Sequence, residues 1–278
     1  MTENRCKPNL PKVGIAVPNL NQGRYLRDCL NSLNVQQGID LRICVLDAGS
    51  TDDSLEIIRE YDKKGLLAGW RSHSDNGQAA AINEGAQWLV DCDFFGWLNA
   101  DDVLVEGALA IMAQALFENP KAASVYGLAW ILAEDGSIIR DYPTEPFDVD
   151  RLAKGCFICQ PATLIRMSAW QKVGGLNAEL EMCMDYDLWW KLKDIGELIY
   201  IPKRLAGSRD HPLTKTRRKV GQHLQEAQAI LRKYYGRVPY QWRMAEVIHE
   251  WEQYHQRKPV TVFERIYIKM MYLKKIFL

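Results

Sequence analysis

Three short apolar runs, Lys12–Val17, Leu41–Leu46 and Phe94–Leu98, are each followed by an amphipathic stretch, and that alternation commits the first part of the chain to a parallel sheet. Leu26, Cys29, Leu30 and Leu33 fall at i, i+3, i+4 and i+7, as do Ser54, Ile57, Ile58 and Tyr61, and later Leu109, Met112, Ala113 and Leu116. Each set predicts a helix packed by one face. Ser50-Thr51-Asp52-Asp53 adds a start signal for the second helix, because hydroxyls and carboxylates satisfy free N–H groups there.

After Asn119-Pro120 the pattern changes. Ala123–Ile131 predicts a strand, Glu134-Asp135-Gly136 a turn and Ser137–Tyr142 the returning strand of a hairpin. Asp185–Ile195 predicts a helix, with Leu188, Leu192 and Ile195 spaced for burial, and Leu198–Ile201 a final strand. Past Pro202 the chain turns basic and aromatic. A boundary near Leu213 then divides it into a domain over 1–213 and a helical extension over 214–278.

Hydrophobic residues at 47% and charged residues at 25% describe an ordinary globular chain, which excludes disordered and low-complexity classes. Net charge is zero but unevenly spread: from Lys203 onward there are 17 Lys and Arg against 6 Asp and Glu. That excess suits an anionic partner or a solvated helical surface. The seven cysteines (Cys6, Cys29, Cys44, Cys92, Cys156, Cys159, Cys183) are odd in number and scattered, so they read as reduced thiols serving core packing. Met1 to Pro11 has no apolar signal region and no stretch reaches about 18 apolar residues, so a cytoplasmic location is expected.

In open α/β sheets ligands gather beyond the carboxyl ends of the strands. Here those ends are polar: Pro18-Asn19-Leu20-Asn21-Gln22-Gly23, Asp47-Ala48-Gly49-Ser50-Thr51-Asp52 and Asn99-Ala100-Asp101-Asp102. Two adjacent carboxylates at the end of a buried strand repel one another unless a cation or protons offset them. Mg²⁺ or Mn²⁺, completed by substrate phosphates, is the simplest remedy; a solvated turn capping the next helix is the alternative. Neither G-x-G-x-x-G nor G-x-x-x-x-G-K-[ST] occurs, so dinucleotide dehydrogenases and P-loop ATPases are unsupported.

Six motifs in series carry a family resemblance: Val17-Pro18-Asn19-Leu20-Asn21, Leu46-Asp47-Ala48-Gly49-Ser50-Thr51-Asp52, Asp75-Asn76-Gly77-Gln78 with Ala81-Ile82-Asn83, Trp97-Leu98-Asn99-Ala100-Asp101-Asp102, Gln160-Pro161-Ala162, and Met184-Asp185-Tyr186-Asp187-Leu188-Trp189. Over roughly Lys12 to Leu213 the chain resembles family 2 glycosyltransferases of the GT-A fold, in the branch that builds cell-envelope polysaccharides. The resemblance implies an α/β, mixed but mainly parallel sheet with a C-terminal helical extension. It also implies inverting transfer of one sugar from a UDP-, dTDP- or GDP-linked donor to a saccharide or lipid-linked saccharide, with Mn²⁺ or Mg²⁺ as cofactor and no role for nucleic acid.

The resemblance also implies roles. Pro18, Asn19, Asn21, Asp47, Asp75, Gln78, Asn83 and Asp101 would hold the donor, and Asp102 first, with Asp101 and His211, the metal. Asp185 would be the base that takes the acceptor's proton, with Asp187 in reserve, and Trp189, one turn on, would stack against the acceptor sugar. Asn99 stands where many relatives have another Asp, Ala48 where a second Asp often contacts the base, and Met184 where Glu is usual. Arg209, Lys215, Arg217 and Arg218 are candidates to neutralise the leaving diphosphate. A sugar nucleotidyltransferase should open with a glycine- and arginine-rich loop, which Asn19–Gly23 does not resemble. A non-catalytic carbohydrate-binding module would use the nine Trp and twelve Tyr but has no need of carboxylates at separate strand and helix ends.

In Val262–Leu278, Phe263, Ile266, Tyr267, Met270, Leu273 and Phe277 recur at helical spacing beside Arg265, Lys269, Lys274 and Lys275. An anionic membrane surface at the inner face, the protein's own core and a second subunit are the three candidate partners for this helix, and Lys274 interrupts the apolar stripe.

Overall fold

The computed structural model describes residues 10–212, 214–258 and 261–277, without the side chains at 262–263 and 274–277. Cys6, the boundary residue Leu213, and the side chains of Phe263, Lys274, Lys275 and Phe277 therefore lie outside the described residues. Two compact units emerge. One comprises 10–146 with Phe157–His211, the other Phe147–Cys156 with the chain beyond Pro212. The second unit thus recruits a segment that reads in sequence as part of the larger domain.

In chain order the elements are β1 (Lys12–Asn19), α1 (Gly23–Asn34), β2 (Asp40–Asp47), α2 (Ser54–Lys63), β3 (Gly69–Ser72), α3 (Gln78–Trp88), β4 (Phe94–Trp97), β5 (Val103–Leu104), α4 (Ala108–Glu118), β6 (Ala122–Leu132) and β7 (Ile138–Asp141). There follow α5 (Val149–Lys154), β8 (Thr163–Arg166), α6 (Met167–Val173), α7 (Met184–Leu192), β9 (Glu197–Arg209), α8 (Lys215–Arg218), α9 (Val220–Tyr234), α10 (Tyr240–His255) and α11 (Val262–Phe277). The sheet runs β3-β2-β1-β4-β8-β6-β9-β5, with β7 paired to β6. β3, β2, β1 and β4 are mutually parallel, β8 is antiparallel to both its neighbours, and β6 and β9 are parallel again.

The apolar runs of β1, β2 and β4 and the inner faces of α1, α2 and α4 form one core around Val13, Leu26, Leu30, Val45, Ile58, Phe94, Met112 and Leu116. Gly85 lets α3 lie directly on the sheet, since a Cβ there would sit 2.7 Å from the Ala16 Cβ and 2.9 Å from Leu46. The six cysteines described form no disulfide, and five of them are buried. Burial pushes Cys44 up to about 12 and Cys92 to about 11, so both stay protonated and inert.

β9 is far longer than the expected Leu198–Ile201. It passes through Pro202 because the pairing with β6 steps from Gly127↔Ile201 to Leu128↔Arg204, which leaves Pro202 and Lys203 outside the ladder. Gly127 makes room for this bulge: a Cβ there would meet Leu205 at 2.4 Å and the Lys203 carbonyl at 2.8 Å. Beyond the bulge β9 pairs with β5, Val103↔Gly207 and Leu104↔Ala206, so the chain leading to Arg209 and His211 is welded beside the strand that begins just after Asp102.

In the second unit the Asp148 side chain caps α5 by accepting from the Arg151 N–H at 2.8 Å, and the Trp242 indole N–H of α10 donates to the Ala153 carbonyl at 2.9 Å. α10 and α11 share a small core of Val247, Trp251 and Ile268. No helix among the described residues is long and apolar enough to cross a membrane.

Candidate active site

The ends of β1 and β2 lie side by side, Asn19 opposite Asp47. Asp47 is fully buried and accepts five hydrogen bonds: Asn19 Nδ2 at 2.6 Å, the Gly49 and Ser50 N–H groups at 3.1 and 3.0 Å, and the Ser50 and Ser72 hydroxyls at 2.5 Å each. Burial pulls its pKa upward, but the donors from Ser50, Ser72 and Asn19 outweigh that and hold it below the usual carboxylate range. Asp47 is therefore the post around which the 47–52 loop is wound. Asp47→Ala leaves several buried donors unsatisfied and should cost about 3–5 kcal/mol in urea unfolding at neutral pH. Because the folded pKa is depressed, the stabilisation is present above the unfolded pKa and fades as pH falls through the folded one.

Asn21, next along, takes a left-handed conformation at φ +53° and holds the same loop through the Thr51 N–H at 2.8 Å. Pro18 is buried within the β1–β2 pairing. Asp52, expected at the start of α2, serves two helices, accepting from the Ser54 N–H at 3.1 Å and from the Gly23 N–H of α1 at 2.9 Å.

Sequence reading missed Arg71 and Ser72, which lie in the four-residue β3. The Arg71 side chain, 8% exposed, donates to the Asp47 carbonyl at 2.6 Å and forms ion pairs with Asp75 at 2.9 Å and Glu84 at 2.8 Å. Asp75 also accepts from the Gly77 N–H at 2.9 Å, at the mouth of α3. The i, i+4 spacing of Arg71 and Asp75 was the available signal, but it means little until β3 is recognised. Asn83 is engaged at both ends by one residue: it donates to the Leu176 carbonyl and accepts from the Leu176 N–H, each at 2.9 Å. Its amide fastens the 174–183 loop to α3 instead of facing a donor.

The acidic edge is built from amides as well as carboxylates. Gln78 Nε2 donates to Asn99 Oδ1 at 2.7 Å, and Asn99 Nδ2 donates to Asp102 Oδ2 at 3.0 Å. Gln160 donates to the Trp97 carbonyl at 2.7 Å and holds the end of β4. A neutral amide at 99 thus supplies a donor to Asp102 where a further carboxylate would add repulsion.

The two adjacent aspartates differ sharply. Asp102 is 3% exposed, and its other oxygen accepts from the Arg209 N–H at 2.9 Å; burial, with the Asp101 charge beside it, pushes its pKa up to about 8. Asp101 faces the other way and meets His211 Nε2 at 3.0 Å. Among the described residues no three Asp, Glu, His or Cys side chains come together as a metal site. The turn aims the Asp102 carboxylate at the β9 backbone and the Asn99 amide.

Arg209 braces the site from beneath. It donates to the Asp101 carbonyl at 2.9 Å and the Glu134 carbonyl at 2.7 Å, pairs with Asp28 at 3.2 Å, and lies 4.7 Å over the Tyr25 ring, which in turn stands 4.9 Å from the His211 ring. With its guanidinium 3% exposed and bonded to protein acceptors, Arg209 is a strut, not a free cation for a diphosphate. Lys215, Arg217 and Arg218 are exposed in the second unit.

Trp189 is also corrected. It is fully buried, its ring stacked on Trp97 at 6.4 Å and 12°, so it has no open face for a sugar. The contact carries other information. Asp185 lies one turn earlier on α7, and through Trp189 that helix meets Trp97 at the end of β4, the strand that leads into Asn99 and Asp101. Asp185 is half-buried, and burial pushes its pKa up to about 6 against the opposing pull of the Tyr186 N–H at 2.7 Å. Asp187 is 2% exposed and forms an ion pair with Lys191 at 2.7 Å.

The sequence profile of glycosyl transferase family 2 matches residues 14–174, more than half of the chain. The chain belongs to glycosyl transferase family 2. This family 2 glycosyltransferase is 27% identical over 195 residues to a chondroitin synthase of Pasteurella multocida, a match that covers 70% of the chain but 20% of that synthase. The chain therefore spans about a fifth of that relative's length. Its fold is the GT-A fold of two solved structures: S. aureus TarS 1-349 in complex with UDP-GlcNAc (TM-score 0.62, 13% identity, 92% of this chain and 78% of that one) and the mannosyltransferase PcManGT of Pyrobaculum calidifontis in complex with GDP-Man and Mn²⁺ (TM-score 0.63, 15% identity, 86% and 73%).

Proposed function

We propose that this family 2 glycosyltransferase moves one sugar, with inversion, from a nucleotide-diphosphate sugar to a hydroxyl of a saccharide or lipid-linked saccharide during cell-envelope polysaccharide or glycolipid synthesis. The catalytic part is the domain over 1–213, less the Phe147–Cys156 segment that folds with the second unit. The reading is supported by the Trp97–Trp189 contact, which brings α7, the helix that carries Asp185, to the end of β4, and by the Asp101–His211 pair, whose aspartate follows that strand. A proton acceptor and an anionic edge are what a single displacement at an anomeric carbon requires.

Asp185 is the base. Its raised pKa suits a carboxylate that must be ionised near neutral pH and still bind a proton well. It takes the proton of the acceptor hydroxyl as that oxygen bonds to the anomeric carbon from the face opposite the leaving group. The bond from carbon to phosphate oxygen breaks, and the nucleoside diphosphate departs with the electron pair.

The donor atoms at the edge fit a hard divalent ion such as Mn²⁺ or Mg²⁺: the Asp101 carboxylate and His211 Nε2 are adjacent, and phosphate oxygens and water would supply the remaining positions. Such an ion, when bound, offsets the charge that develops on the leaving diphosphate. Asn19, Asn21 and Gln78 border the donor on the strand-end loops, while Asp47 shapes those loops from within and Asn83 holds the 174–183 loop to α3. The complexes of TarS with UDP-GlcNAc and of PcManGT with GDP-Man and Mn²⁺ support a nucleotide-sugar donor on this fold.

Thermal-shift screening of UDP-, dTDP- and GDP-sugars, each with and without Mn²⁺, tests the reading. Ligand at about 100 times its Kd should stabilise the protein by about 2.7 kcal/mol, with one base and only with metal. Unshifted melting with every nucleotide-sugar in both conditions would sink it.

A further inference from the structure

α11 has two apolar faces, and the protein uses one of them. Thr261 and Glu264 start the helix with a reciprocal cap, the Glu264 N–H donating to Thr261 Oγ1 at 3.2 Å and the Thr261 N–H to Glu264 Oε2 at 2.9 Å. Ile268, 3% exposed, packs with Val247 and Trp251, and Met271 and Tyr272 close over the same small core. At about 100° per residue, Leu273, Ile266, Met270 and Tyr267 occupy the opposite arc. They are 51%, 49%, 62% and 55% exposed. Arg265 and Lys269, both exposed, flank this arc on one side.

We infer that this outward face of α11 seats on an anionic lipid bilayer, with Ile266, Tyr267, Met270 and Leu273 at the acyl boundary and Arg265 and Lys269 at the level of the lipid phosphates. Charge selects this occupant. α11 carries Arg265, Lys269, Lys274 and Lys275 against one acid, Glu264, and that acid is already paired with Arg257. From Pro212 onward the chain has 14 Lys and Arg against 5 Asp and Glu, so a second copy of this face would meet like charge while an anionic membrane would meet its opposite. A capped helix with a narrow apolar stripe, interrupted in sequence only near its end by Lys274, and with a basic flank lies in the interface and does not span. The inference stands apart from the transferase reading, since no group of the candidate site takes part.

Co-sedimentation of the full chain with vesicles tests it. Binding to vesicles of equal parts phosphatidylcholine and phosphatidylglycerol should exceed binding to phosphatidylcholine alone by about tenfold or more and should weaken as salt rises. Ile266→Ser with Met270→Ser should lower that binding about tenfold with little change in melting temperature, because neither side chain belongs to the Val247, Trp251 and Ile268 core. Arg265→Glu with Lys269→Glu should erase the preference for anionic lipid. An intact chain that ignores anionic vesicles, or unchanged binding by both double variants, would overturn the inference. So would a lipid-free dimer in sedimentation velocity that the Ile266→Ser, Met270→Ser variant dissociates.

Discussion

Asp185→Asn should lower sugar transfer by about a thousandfold and, at neutral pH, make the protein more stable. The two effects share one cause. Keeping the Asp185 carboxylate ionised where its pKa stands at about 6 costs roughly 1–3 kcal/mol relative to the unfolded chain. The sign follows from linkage: the folded state holds the proton more tightly, so the cost is absent below the unfolded pKa near 4, grows between about 4 and 6, and is complete above. The gain in melting temperature from Asn should therefore be full at pH 7.5 and vanish near pH 4. In the native enzyme kcat/KM should fall about tenfold per pH unit below 6, and the donor's KM should change little in the variant. Transfer within tenfold of native by Asp185→Asn would remove it as the base. Asp187→Asn supplies the contrast, since breaking the buried pair with Lys191 should lower the melting temperature and leave the acid limb in place.

Asp101→Asn and His211→Ala should each raise the Mn²⁺ concentration needed for half-maximal activity by about a hundredfold or more, whereas Asp102→Asn should retain a near-native metal response. The basis is orientation: Asp101 meets His211 Nε2, while Asp102 faces the Arg209 N–H and the Asn99 amide. Mn²⁺ titration of the nucleotide-dependent thermal shift measures this without relying on turnover. Loss of the response in Asp102→Asn, with Asp101→Asn unaffected, would reverse the assignment and return the cation to the inner carboxylate.

Much of the frame was legible because long apolar runs and helical spacing are local signals. β1, β2, β4, α1, α2 and α4 could be read, as could the β6–β7 hairpin from Glu134-Asp135-Gly136. β5 with two residues, and β3 and β8 with four, are too short to show any period, and their pairing is supplied by neighbours distant in the chain. β9 was cut short at Pro202 because a proline argues against a ladder unless a bulge exists opposite it, and that bulge depends on Gly127, some 75 residues away in the chain.

The sequence by itself determined which side chains gather where strands end, since motif order and strand polarity place 18–23, 47–52 and 99–102 on one edge. It also placed Asp185 and Trp189 on a common helix face, because 3.6 residues per turn is a property of the backbone. Tertiary structure alone decided where those faces point: Trp189 inward onto Trp97, Asp102 inward onto Arg209, and Asp101 toward His211. Spacing along a chain fixes relative direction within one element, whereas burial depends on which other element packs against it.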